Sequence, residues 1–390
     1  MNMDSKVPEV RFKGFSGEWY EVTLSSVIDV RSGKDYKHLG KGNIPVYGTG
    51  GYMLSVDSAL SNDEDAIGIG RKGTIDKPCI LRAPFWTVDT LFYAVPFPGF
   101  NLDFLFCLFQ KIEWKKHDES TGVPSLSKIA INNVPVYATN ELEQTAIGNY
   151  FQKLNSLINQ HQQKHDKLSN IKKAMLEKIF PKQGETMPEI RFKGFSGQWE
   201  EKVLGDEMTV TSVKRILQSD WTQSGVRFLR ARDIVSAYKN EDPSDYLYIA
   251  REKYNEYSQL SGKVEVGDLL VTGVGTIGVP MLITNDEPVY FKDGNIIWFK
   301  NENRIDGMFL FYSFIGDLIQ TYIKHSAGTG TVGTYTINSG KNTPIKLPTR
   351  EEQTAIGNYF QKLDALINQH QQQITKLNNI KQACLSKMFV

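Results

Sequence analysis

Two sets of residues in this chain have the chemistry to meet a nucleic acid. The stretch RSGKDYKHLGK (31–41) gathers Arg31, Lys34, Lys37, His38 and Lys41 around Tyr36. Arg71 and Lys72 leave a glycine turn with Thr74 close behind, and Ser120 and Thr121 add hydroxyls further on. In the second half the comparable residues are Lys214, Arg215, Arg227, Arg230 and Arg232, then Thr276 in another glycine turn. The stretch KHSAGTGTVGTYT (324–336) adds Lys324, His325, Ser326, Thr329, Thr331 and Tyr335. Arginine and lysine suit phosphates and guanine edges, hydroxyls suit phosphates and bases, and glycine lets a backbone approach closely. For any one of these residues a solvated surface position is the competing explanation.

Charge narrows how such residues would work. The chain of 390 residues has a formal net charge of +1. Residues 20–140 carry 12 Lys and Arg against 13 Asp and Glu, and residues 200–349 carry 16 against 19. Any contact with phosphate must therefore come from local patches, not from a basic average.

Signatures for other chemistry are weak or missing. GIGRKG (Gly68, Gly70, Gly73) and GVGTIG (Gly273, Gly275, Gly278) both spell GxGxxG. No amphipathic helix follows either, and Pro78 and Pro280 arrive at once, so both read as strand–turn glycines and not as a dinucleotide site. There is no Walker A, HExxH or GxSxG pattern and no (N/D)PP(Y/F) motif of an adenine methyltransferase. Cys79, Cys107 and Cys384 are far apart and lack metal-ligand spacing. They read as structural thiols in a reducing cytoplasm, with no metal. No secretory signal or membrane-length apolar run is evident.

Repeats supply the elements that would position the candidate residues. QTAIGNYFQKLNSLINQHQQKHDKLSNIKKAMLEKIF (144–180) aligns without gaps to residues 353–389, with 27 of 37 positions identical at an offset of 209. PEVRFKGFSGEW (8–19) returns as PEIRFKGFSGQW (188–199) at an offset of 180. The layout is a lead-in motif at 1–19, a variable domain at 20–140 and a conserved helix at 141–180, then a linker and second lead-in at 181–199, a variable domain at 200–349 and a second helix at 350–390.

Each constant block reads as one helix with a heptad seam. Ile147, Phe151, Leu154, Ile158, His161, His165 and Leu168 follow a 4,3 spacing, repeated by Ile356, Phe360, Leu363, Ile367, His370, Ile374 and Leu377. About 38 residues give rods of roughly 55–60 Å, which most economically pair with each other. A pseudo-twofold, antiparallel pairing would let His161 meet His370 as a register-setting polar layer. Tyr150, Leu157, Tyr359 and Leu366 add an apolar strip beside the seam, suited to a further helix.

The variable segments are rich in short β-like runs, among them NIPVYGTGGYMLSV, GVRFLRARDI and VYFKDGNIIWFK, each segment ending in an aromatic helix at 102–117 or 306–325. GTIDKP (73–78) matches GTIGVP (275–280), and FLF occurs at 104–106 and 309–311, so the segments are diverged copies. The expected fold is α+β, with two α/β domains separated by two long helices in an antiparallel coiled coil with a pseudo-twofold internal repeat.

The doubled layout, with IPVYGTGG, GRKGTI, FLRARDI, GTIGVP and the EQTAIGNYFQKLDALI type of helix, resembles the specificity subunit of type I restriction-modification systems over essentially the whole chain. The resemblance implies a non-catalytic DNA-binding chain with two target-recognition domains, each reading half of a bipartite, asymmetric double-stranded site. It implies two modification (methyltransferase) subunits and restriction (translocase/nuclease) subunits as partners. No cofactor belongs to this chain; S-adenosylmethionine and ATP with magnesium belong to those partners. A coiled-coil scaffold with two protein-binding domains is the alternative.

Overall fold

A computed structural model describes residues 6–243, 245–327 and 333–390. The chain divides into two compact units, residues 1–163 with 370–390, and residues 164–369. Each long helix is therefore divided between them. Among the described residues, no helix is long and apolar enough to cross a membrane.

In the first unit an antiparallel four-stranded sheet runs in the order Ile28–Ser32, Leu91–Pro96, Ala66–Gly70, Cys79–Leu81. A smaller sheet contains Gly51–Val56, Lys41–Gly48 and Trp86–Thr87, the last two parallel. Tyr20–Thr23 pairs with Pro135–Ala138 and closes the variable segment at its base. The helix Leu102–Lys111 starts where the Asn101 side chain accepts a hydrogen bond from the Phe104 amide, an N-cap that satisfies a donor the first turn would otherwise orphan. Its residues Phe104 to Phe109 are all buried. The expected helix to residue 117 stops earlier, because Ile112 is extended and only a short 3-10 turn, Trp114–His117, follows.

The second unit repeats that topology on a diverged sequence. Its four-stranded sheet runs Thr209–Thr211, Ile296–Lys300, Leu269–Thr272, Pro280–Leu282, with the same crossing order in the chain as the first. A second four-stranded sheet holds Val226–Leu229 parallel to Val289–Phe291, as Lys41–Gly48 lies parallel to Trp86–Thr87. The aromatic helix expected at 306–325 is two helices, Gly307–Ile315 and Asp317–Ser326, because Gly316 is extended and breaks the ladder between them. GVRFLRARDI is not one β-run: the strand ends at Leu229 and a helix starts at Ala231, with the Asp233 side chain accepting from the Arg230 amide.

The repeated blocks are the helices Glu141–Ile179 and Arg350–Lys387, of 39 and 38 residues. Within the first unit they run antiparallel: Tyr150 Oη lies 3.6 Å from Cys384 Sγ, while further along His161 meets His370, Nδ1 to Nδ1 at 2.9 Å. Within the second unit the Lys172 ammonium donates to Asp364. The seam is not uniform along its length. Ile147, Phe151 and Leu154 enter the core of the first domain with Trp19 and Phe104, and Ile356, Phe360 and Leu363 do the same in the second with Trp199 and Phe309. Ile158, Ile367, His161 and His370 are only half-buried.

Two small features explain why the repeated letters are shared. Gln144 accepts from the Asn101 amide and donates to the Thr139 carbonyl; Gln353 accepts from the Asp306 amide and donates to the Pro348 carbonyl. A Cβ on Gly148 would come within 2.3 Å of Asn101 Oδ1, and one on Gly357 within 2.9 Å of Asp306 Oδ1. The glycines let the N-capped end of each aromatic helix sit against the long helix. The lead-in motifs clasp the same helices. Arg11 gives two hydrogen bonds to the buried Glu143, and Arg191 gives two to Glu352.

Candidate nucleic-acid interface

In the first unit the candidate loops converge on one turn, residues 87–91. The Lys34 amide donates to the Thr87 carbonyl, and the Gly33 amide to the Leu91 carbonyl. The Arg71 amide donates to the Thr90 carbonyl at 2.8 Å. The loop that carries Ser120 and Thr121 is tied to the same place, since Gly73 donates to the Pro124 carbonyl and Leu126 to the Arg71 carbonyl. Asp118 organises that loop by accepting from the Ser120 amide and hydroxyl and from the Ser125 amide, and these bonds pull its carboxyl below the usual range.

The side chains on this frame have different fates. Lys34, Lys37, His38, Lys41, Arg71 and Lys72 are exposed, Ser120 and Thr74 half-buried and Thr121 exposed. Tyr36 packs with Leu39 on Val46 and Trp86 and anchors its loop, while the Trp86 indole donates to the Lys34 carbonyl at 2.8 Å. Arg31 is bound to Glu64 and to Asp29, and these hydrogen bonds push its pKa up while the guanidinium pulls the Glu64 carboxyl down. None of the four lysines forms an ion pair among the described residues.

The fingerprint glycines belong to strand and turn. Gly68 and Gly70 lie in the strand Ala66–Gly70, and a Cβ on Gly70 would meet the Thr74 carbonyl at 1.9 Å. Close backbone packing explains their identity without a phosphate.

The second unit builds the counterpart around residues 293–296. The Gly273 amide donates to the Asn295 carbonyl, and the Tyr335 amide to the Gly273 carbonyl. Arg215 pairs with Asp293 at 2.8 Å, a bond that pushes its pKa up. Lys214 is exposed and its ammonium stands 4.4 Å from the Tyr257 ring centroid. Thr276, Lys324 and His325 are exposed and Ser326 half-buried, its hydroxyl turned back to the Ile323 carbonyl. Thr329 and Thr331 lie outside the described residues.

Two candidates need correction as contact residues. Tyr335 is 2% exposed and its hydroxyl is bonded to Thr343, so it is a core residue of the second domain. Its burial also pushes the phenol's pKa up. Arg230 is bound by Asp233 and Asp245 on nearly all its donors, and is scaffold. Arg227 stacks on Tyr246 at 3.7 Å, and Arg232 remains largely exposed.

The strip beside the seam also changes character. Tyr150 packs edge-on against Phe12 and Tyr359 against Phe192, so the chain's own lead-in motifs cover the tyrosines. Leu157 is half-buried and Leu366 is 44% exposed, which leaves those two positions as the uncovered part.

Several residues of these faces escaped the sequence reading. Tyr52 and Met53 are 62% and 50% exposed on a hairpin of the smaller sheet, beside the turn spelled GTGG. An exposed aromatic after a glycine turn was the available signal. Tyr246 and Asp245 gave none, since their arginine partners lie 19 and 13 to 15 positions earlier.

Comparison with known proteins adds a family. The sequence model of the type I restriction modification DNA specificity domain matches residues 16–170 and again 197–379. A Haemophilus influenzae protein that bears the name of a type I restriction enzyme specificity subunit is 29% identical over 174 residues, 42% of this chain and 40% of that one. A type I restriction enzyme specificity subunit of Methanocaldococcus jannaschii is 24% identical over 290 residues, 70% of this chain and 66% of that one. The match thus spans less than two thirds of either relative. The crystal structure of a type I restriction-modification system S subunit from M. genitalium shares the fold, with a TM-score of 0.65 at 16% identity over 98% of this chain and 99% of that one.

Proposed function

The chain belongs to the type I restriction-modification DNA specificity family, and we propose that it is the DNA-reading subunit of such a system, each unit reading one half of a bipartite, asymmetric site. The observation that carries this is the duplicated face. In both units the glycine turn is bonded on one side to the turn before a central strand, Arg71 to Thr90 and Gly273 to Asn295, and on the other to a later loop, Gly73 to Pro124 and Tyr335 to Gly273, with exposed cations on the same loops. A fixed backbone carrying exposed side chains suits a surface that must track phosphates and sample base edges.

On this reading the chain carries no catalytic group of its own. Two methyltransferase subunits bring S-adenosylmethionine and adenine methylation, and restriction subunits bring ATP and magnesium, all in the cytoplasm. Of the apolar strip beside the seam, Leu157 and Leu366 are the two positions that the lead-in motifs leave open to a partner. The paired helices set the spacing of the half-sites.

Domain exchange tests the reading directly. Replacing residues 20–139 with the corresponding segment of a relative, in cells that also carry the methyltransferase partner, is expected to change one half of the methylated motif. The other half and the spacer stay as they were. Mapping methylated adenines across the genome reads the outcome, and a change in both halves, or no motif at all, sinks the proposal.

The lysines of the first unit carry a separate expectation. Changing Lys34, Lys37 and Lys41 together to alanine is expected to weaken binding uniformly across DNA sequences and to lower the salt-dependence slope by up to about 2.7, at roughly 0.9 per phosphate contact. Titration of the assembled complex on duplexes of unrelated sequence at several salt concentrations measures it. An unaltered slope would remove these lysines from the interface.

A further inference from the structure

The arginines of the second unit divide by how many donors they have left. A guanidinium carries five N–H donors in a planar fork. Arg230 gives Nε and Nη2 to the buried Asp233 carboxylate at 2.9 and 3.0 Å, and Nη1 and Nη2 to the Asp245 carboxylate and carbonyl at 3.0 and 2.8 Å. Its own amide donates to Asp233 at 2.7 Å. Arg230 has nearly nothing left to offer, and it fixes where Asp245 stands.

Arg232, two residues on, is held differently. Its side chain is 54% exposed, Nη2 donates to the other oxygen of Asp245, and Nε lies 4.0 Å from Asp233. Among the described residues Nη1 has no partner, so one edge of the fork is anchored and the other is open. Beside it in the same strand–helix segment, the Arg227 guanidinium is stacked on the exposed Tyr246 ring at 3.7 Å.

Resting on the DNA-reading proposal above, we propose that Arg232 is a specificity-determining residue that reads a guanine edge in the half-site of the second unit, with Asp245, Arg230 and Asp233 as positioning residues. Arginine is suited to bidentate contact with guanine O6 and N7, and lysine lacks that fork. Immobilising the fork before contact removes side-chain entropy that binding otherwise costs. A carboxylate that is itself fixed by a second arginine supplies that immobilisation. The opposite role for Asp245 is a mask that repels phosphate from Arg232, and the two roles predict opposite changes.

The test uses the full chain assembled with its methyltransferase partner, selecting from a randomised duplex library and then titrating selected and unselected duplexes. Arg232→Ala and Arg232→Lys are expected to weaken binding to the selected site by about 10-fold or more, within the range a bidentate base contact commands. Preference relaxes at one base pair of one half, the other half keeps its sequence, and unselected DNA binds nearly as before. Asp245→Asn is expected to relax the same base pair. A uniform loss over all sequences marks Arg232 as a phosphate contact and overturns the proposal. So does tighter binding of every sequence by Asp245→Asn with selectivity intact, or unchanged selectivity in Arg232→Lys, a surface change that leaves the buried Asp233 pair alone. A wild-type complex that selects no bipartite site defeats the DNA-reading proposal itself, a result distinct from any of these.

Discussion

An Arg11→Met variant is expected to lose about 3–5 kcal/mol of stability in the first unit, the cost of leaving a buried carboxylate without its cation. Glu143 is 0% exposed and takes both bonds of the Arg11 fork at 2.6 Å. The Thr139 hydroxyl also donates to it at 2.5 Å, but one neutral donor does not replace a bidentate guanidinium. The guanidinium also donates to the Gly17 carbonyl and so closes the lead-in loop on itself. Urea denaturation followed by tryptophan fluorescence suits the measurement, since Trp19 stands in the affected core and Trp199 in the equivalent core of the other unit. Arg191→Met is expected to act in the same way through Glu352, which is 1% exposed. The two pairs share no partner, so the double variant should show the sum of the two losses. A loss below about 1 kcal/mol, the range of exposed ion pairs, would mean that water reaches Glu143 and that the clasp is ornamental.

That clasp shows where sequence reasoning stops. The lead-in motif was visible as a repeat, but its partner Glu143 lies 132 residues beyond Arg11, and no local period connects them. The long helices were legible because their apolar spacing is a property of consecutive turns, and the strand–turn reading of the GxGxxG stretches followed from the prolines behind them. The same spacing could not say that Ile147, Phe151 and Leu154 serve a domain core while Ile158 and His161 serve the helix pair, since both uses demand an apolar stripe. FLRARDI was misread as a strand because its apolar residues are too few to fix a period, whereas the Asp233 cap on Arg230 that starts the helix is a three-dimensional fact. Among the candidate cations, composition gave the residue types and nothing of their occupancy. Arg31, Arg215 and Arg230 are engaged by carboxylates, and Lys34, Lys37 and Lys41 are open. Tyr335 shows the same limit from the other side, since a tyrosine among glycines and threonines looked solvent-facing yet closes the core against Thr343.

Inserting one heptad into each long helix, between Ile158 and Leu168 in the first and between Ile367 and Leu377 in the second, is expected to lengthen the spacer of the recognised site by about one to three base pairs, with weaker binding. Seven residues add roughly 10 Å at 1.5 Å each. Each base pair of spacer takes up about 3.4 Å, so length alone would admit about three. A heptad keeps the a/d residues facing their partner helix and turns the seam by only about 20°. Three further base pairs turn one half-site by roughly 100° relative to the other, since DNA completes a turn in about 10.5. Length and helical phase therefore pull against each other, and the outcome lies between no turn and the full extension, at the expense of affinity. Because the helices run antiparallel, an insertion after His161 in the first helix is matched by one before His370 in the second, and that matched pair keeps both the imidazoles and Lys172 with Asp364 opposite each other. Lengthening one helix alone shifts every contact beyond the insertion, including Lys172 with Asp364, and is expected to abolish sequence-selective methylation. Methylome mapping separates these results. A spacer that stays the same length after the paired insertion would show that something other than the helices sets the distance between half-sites, and it would leave the helices as a partner mount alone.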